Sequence, residues 1–212
     1  RVLGTMLNFD DPDDAHAIAR YAAKELVTHV KQATGVELEI VEESSAPAVP
    51  PGRIYIGATR QAGAVGIRTE GLAPEEAVVR RVGAALYIVG RDAPGDPLDV
   101  NHTHSGTLWG VYEYLERELD IRWLWPGQLG TYVPAREELT VGPLDWSVSP
   151  ALARRFVRHH SRALDDIDPP LNFTADELAA YRADLAVFMR RHRMGRAPGI
   201  FAPSPKGARP YG

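Results

Sequence analysis

Apolar and polar positions along the chain follow two distinct periods. Ala15, Ile18, Ala19, Ala22, Leu26, Val30 and Ala33 recur at spacings of three and four, and Gly35 follows them. That spacing places them on one face of a helix that a glycine ends, so an amphipathic helix is predicted over residues 15–33. The acidic run Asp10-Asp11-Pro12-Asp13-Asp14 before it suits the positive end of a helix dipole, where a proline is also tolerated. Val36, Leu38 and Ile40 then alternate with Glu37 and Glu39, the period-two mark of a strand with one buried face, over residues 36–41. A proline-rich loop over 46–51 leads to Arg53-Ile54-Tyr55-Ile56-Gly57, which reads as a second, buried strand.

Residues 76–81 and 84–89 flank Val82-Gly83 and predict a β-hairpin. After a polar loop over 91–105, Leu108, Val111, Tyr112, Leu115 and Leu119 form one stripe of a helix over 107–119, with Ser105 at the N-cap position. A strand over 121–125, a turn at Pro126-Gly127 and short β segments over 131–133 and 138–141 complete this unit. Past a linker at 147–150 the pattern predicts a strand over 155–160 and a loop over 164–172. Next come a helix over 174–193, opened by a Thr174/Glu177 capping box and ended near Gly195, and a further strand over 199–202. The predicted fold class is α/β (α+β): a mixed β-sheet packed with two main helices over residues 1–146. Residues 147–212 follow as the first β-α unit of an incomplete (β/α)₈ barrel.

Length and composition narrow the picture. The 212 residues hold one large domain, or one of ~150 residues and part of another, but fall short of the roughly 250 that a complete (β/α)₈ barrel needs. With 44% hydrophobic and 25% charged residues the chain has enough apolar content for a core. No run reaches the ~18 apolar residues of a membrane span, so no membrane partner is expected. The absence of cysteine removes disulfides, thiolate nucleophiles and thiolate metal sites. The net charge of -4 conceals a split: residues 1–150 carry 13 basic and 22 acidic residues, whereas residues 151–212 carry 11 and 6. Two units of opposite charge that attract one another are therefore expected. The chain opens at Arg1, which suggests processing or excision from a longer protein.

The segments 106-GTLWGVYEYLE-116, 119-LDIRWLWPG-127 and 130-GTYVP-134, with 22-AAKEL-26 and 54-IYIG-57, strongly resemble a known module. They are similar to the N-terminal domain of α-glucuronidases and of related large bacterial proteins of unassigned activity, itself similar to domain 2 of β-hexosaminidases. The resemblance covers roughly residues 12–142. It implies an accessory domain that sits before, and contacts, a glycoside hydrolase barrel, whose first strand follows Pro150. The catalytic carboxylates are then expected downstream, the carbohydrate substrate is met through the full-length protein, and a secreted or periplasmic location is expected. The alternative, from another class, is a stand-alone glycan-binding or assembly module without turnover.

Candidate chemistry concentrates after residue 150. Arg155, Arg158, His159 and His160 are candidates for gripping an acidic or hydroxyl-rich ligand, since a guanidinium offers paired hydrogen bonds. The plainer account is a strand that meets the acidic first unit. Asp165, Asp166 and Asp168 would lie in the loop after a first barrel strand, where sugar sites form, although Asp-Asp-x-Asp-Pro-Pro also serves turns and caps. Glycoside hydrolysis uses two carboxyl groups, and a shortened enzyme built on this cluster is a third, weaker reading. His102-Thr103-His104 has the spacing of a metal pair but also precedes a helix that needs polar capping groups. No metal and no cofactor is expected. Trp109, Tyr112, Tyr114, Trp123 and Trp125 suggest sugar stacking, with core packing the commoner use of most of them. The basic run Arg190-Arg191-His192-Arg193 complements a helix C-terminus, and in an acidic protein it does not make a nucleic-acid site.

Overall fold

The structure, a computed structural model, describes residues 16–43, 53–99, 104–152, 154–155 and 174–196. Helix α1 (Ala17–Thr34) is followed by strand β1 (Ile54–Ile56) and the short helix α2 (Arg60–Ala64). The hairpin of β2 (Ala77–Val82) and β3 (Ala85–Gly90) comes next, then helix α3 (Gly106–Glu118). Strands β4 (Arg122–Trp123), β5 (Thr131–Tyr132) and β6 (Asp145–Val148) lead to β7 (Arg154–Arg155), helix α4 (Ala175–Arg191) and β8 (Gly195–Arg196).

The main sheet has the order β1-β3-β2-β6, with β1 parallel to β3 and the other pairs antiparallel. It is therefore a mixed sheet, with α1 and α3 packed on one face. Val79, Leu86 and Ile88 meet Ile18, Leu26, Val30, Leu108, Val111 and Leu115 there. The opposite face carries a smaller cluster of Tyr55, Tyr87 and Val89 with Ala62 and Ile67 around α2. Strand β3 is buried on both faces, which accounts for its unbroken apolar run.

Helix α1 ends as its sequence predicts: Gly35 takes φ 73 and returns its N–H to Lys31 O. The acidic run before it lies outside the described residues, and the first turn of α1 contains no acid. Helix α3 carries Leu108, Trp109, Val111, Tyr112 and Leu115, all fully buried. At roughly 1.5–3 kcal/mol for each large apolar side chain removed from water, this stripe far outweighs a cap worth ~1 kcal/mol. Ser105 occupies the N-cap position but makes no capping bond. Asp92, just beyond β3, accepts from Thr107 N at 2.8 Å instead, while the Ser105 hydroxyl accepts from Arg190. The capping box of α4 forms as predicted, with Glu177 N donating to Thr174 Oγ1 at 3.2 Å and Thr174 N donating to Glu177 Oε2 at 2.8 Å.

Three expectations are corrected. Residues 36–41 form no strand: Val36, Ile40 and Val41 are exposed, and among the apolar residues of that run only Leu38 packs on the core. Residues 138–141 form none either. The strand that completes the sheet is β6, so the boundary drawn at 146/147 falls inside it and residues 147–148 belong to the sheet rather than to a linker. Separately, β7 and β8, on either side of α4, pair antiparallel, so the described residues show no parallel strand pair of a barrel. The predicted strand at 199–202 lies outside the described residues.

Candidate functional site

Three helices and a hairpin position the polar groups of the molecule, and two clusters result. The first is built around Glu75, which precedes β2 at φ 63, a left-handed backbone that costs a non-glycine residue on the order of 1 kcal/mol. Its buried carboxylate accepts Arg155 Nη2 on both oxygens, at 2.9 and 3.0 Å, and Trp109 Nε1 at 3.1 Å. Arg155 also donates through Nε to Arg193 O at 2.6 Å. Beside it, Arg190 is fully buried, stacks 4.3 Å over Trp109 and donates to Pro97 O, Met194 O and Ser105 Oγ. Burial pushes its pKa down to about 10, which leaves it charged at neutral pH. Arg193 reaches Glu113 at 2.6 Å and also pairs with Glu116. Most of these polar atoms are paired with other protein groups, although Arg193 Nε is buried without a partner among the described residues.

The second cluster floors a cleft of about 200 Å³ between α1, α4 and the hairpin that joins β4 to β5. Arg191 grips Glu25 through Nε at 2.9 Å and Nη2 at 3.3 Å. His29, one helical turn after Glu25, is fixed in its tautomer by its partners. Trp123 Nε1 can only donate, so His29 Nε2 accepts from it at 3.2 Å, and Nδ1 carries the proton to Glu25 O at 2.7 Å. Burial lowers the pKa of His29, in keeping with a neutral ring. The His192 ring donates to Trp123 O at 2.8 Å from the α4 side. Thr28, Gln32, Gln128 and Asp184 form the exposed rim. A second depression, of about 270 Å³ at α2, gathers only Arg68 and Glu70 as charged groups.

Of the sequence-predicted candidates, Arg155 is turned inward, with its Nε and Nη2 committed to protein partners and little of its side chain exposed. Arg158, His159, His160, Asp165, Asp166 and Asp168 lie outside the described residues, as do His102 and Thr103. His104 Nε2 is buried without a partner among the described residues. Trp109, Tyr112, Tyr114 and Trp123 are core residues, whereas Trp125 is 64% exposed. The basic run 190–193 faces the protein's own carboxylates and carbonyls. Sequence reasoning missed Glu25 and His29, although two polar residues on the apolar stripe of α1, four apart, were a visible signal. No protein-family model matches the chain, and no match to it is found among curated proteins.

Proposed function

We propose that this chain is the N-terminal accessory α/β domain of a carbohydrate-active glycoside hydrolase, secreted or periplasmic, with the leading segment of its catalytic (β/α)₈ barrel. The accessory domain anchors that segment, and the chain has no turnover of its own. The supporting observation is the set of arginine clamps. Arg155, Arg191 and Arg193 tie the segment after residue 150 to Glu75, Glu25, Glu113 and Glu116, and all of these side chains are largely withdrawn from water. Isolated surface pairs contribute ~0–1 kcal/mol, whereas breaking a buried pair costs about 3–5 kcal/mol, so these clamps resist separation of the two segments. In this reading the antiparallel β7–β8 pair closes the clamp and is not one of the barrel's own strand pairs. Arg158, His159, His160, Asp165 and Asp168 supply a minor part of the sugar site, and Arg155 supplies none.

The test compares the 212-residue chain with the full product of its gene on a broad panel of aryl glycosides. The expected outcome is turnover by the full product alone, reduced by Arg158→Ala with no change in melting temperature. Turnover by the 212-residue chain, or none by the full product, would overturn the reading.

A further inference from the structure

We propose that the cleft between α1, the β4–β5 hairpin and α4 binds one ring of a neutral, polyhydroxylated ligand, a single sugar unit. The floor is set before any ligand arrives. Glu25 is held by two bonds from Arg191, and His29 is locked as the Nδ1–H tautomer between Glu25 O and Trp123. Such a floor adds little ordering cost to binding.

The rim has the opposite character. The side chains of Thr28 and Gln32 on α1, Gln128 on the hairpin and Asp184 on α4 have no hydrogen-bond or ion-pair partner among the described residues. They offer two amide groups that both donate and accept, a hydroxyl, and a carboxylate able to accept from two neighbouring hydroxyls. Four groups of this kind, converging from three elements on one cleft, match a ring that carries a hydroxyl on nearly every carbon.

Charge selects within that class. Among the described residues Arg191 is the only cationic side chain lining the cleft, and Glu25 occupies it. Asp184 therefore leaves one uncompensated negative charge, which disfavours phosphates and uronic acids. Among the described residues no three His, Asp or Glu side chains gather as metal ligands. Size limits the ligand further, because about 200 Å³ lies below the ~300–1,000 Å³ of pockets that take drug-sized molecules.

The loop that brings Gly127 and Gln128 to the cleft also carries three exposed apolar side chains that do not line it. Leu124, Trp125 and Leu129 are exposed by 73%, 64% and 104%. The loop that carries them is held closed by Leu124 N donating to Gly130 O at 2.7 Å and Thr131 Oγ1 donating to Gly127 O at 3.1 Å. Gly130 also has to lack a side chain, since a Cβ there would collide with the backbone of Trp125. A stiff loop that keeps an indole in water three residues before Gln128 offers a stacking face for the C–H side of a sugar ring.

The inference does not depend on the hydrolase reading, because it is tested by binding to the 212-residue chain rather than by turnover. The probes are glucose, xylose and N-acetylglucosamine, with glucuronate as the charged control, titrated to about 100 mM and followed by amide NMR shifts and tryptophan fluorescence. Saturable shifts are expected at Gly127, Gln128 and Thr131 with at least one neutral sugar. Asp184→Ala and Trp125→Ala should each weaken that binding about tenfold or more while circular dichroism stays unchanged, since both residues are exposed. Glucuronate should bind about tenfold more weakly than glucose. The inference is overturned if no neutral sugar saturates these amides, if neither variant weakens binding, or if glucuronate binds as well as the neutral sugars.

Discussion

Asp92 caps a helix from inside the protein, and its two roles pull against each other. Burial raises its pKa from 3.8 to about 7, opposed by the hydrogen bonds from Thr107. The unfolded chain ionises this carboxyl first as pH rises, so folding stability falls between pH 3.8 and about 7 and is level above that window. His29 acts with the opposite sign: its pKa is lowered by burial, and stability is lost as pH falls below the ordinary histidine value. Asp92→Asn keeps an oxygen acceptor for Thr107 and removes the charge. The variant should melt higher than the parent at pH 8 and level with it at pH 4, as followed by thermal melts across that range. Parallel melting profiles at all pH values would show that the cap ionises freely.

At the level of elements, Gly110 is one of the residues that let α3 lie close on the sheet. A Cβ there would stand 2.9 Å from both Ala77 Cβ and Ile88 Cγ2, with no flexible side chain to give way. Gly110→Val is expected to destabilise by about 1–3 kcal/mol in urea unfolding. Gly63→Ala in α2, where nothing lies within 4 Å, is expected to stabilise by about 0.5 kcal/mol. The same elements show what a sequence can convey. Helices α1 and α3, strand β1 and the β2–β3 hairpin were legible because burial writes a period into the residues or, in β3, an unbroken apolar run. Residues 36–41 have the period without a partner strand: Lys31 and Arg20 hold Glu37 and Glu42, and among the described residues no strand pairs with them. Strand β6 was missed for the converse reason, since Asp145-Trp146-Ser147-Val148 sits on a sheet edge and has little need to be apolar. Arg155 looked like a ligand contact because its partner, Glu75, is 80 residues away and no local pattern joins them.

For the molecule as a whole, the uneven charge along the chain becomes a set of contacts. The acidic first part supplies Glu25, Glu75, Glu113 and Glu116, and the basic second part supplies Arg155, Arg191 and Arg193. A double-mutant cycle can separate attraction from the cost of an abandoned charge. Glu25→Gln and Arg191→Met should each destabilise, and the double variant should be more stable than the sum of the two effects predicts by about 1 kcal/mol or more. Additivity within about 0.5 kcal/mol, by urea unfolding, would show that the pair contributes nothing as a pair. The sheet order has a consequence in time. Strand β2 lies between β3 and β6, yet its partner Asp145 comes 65 residues after Arg80, and Arg191 comes 166 residues after Glu25. A chain made from its N-terminus forms the hairpin early and leaves one edge of β2 unpaired until β6 has been synthesised. Throughout that interval the nascent protein exposes a strand edge of the kind that recruits other chains, and α4 is fastened later still.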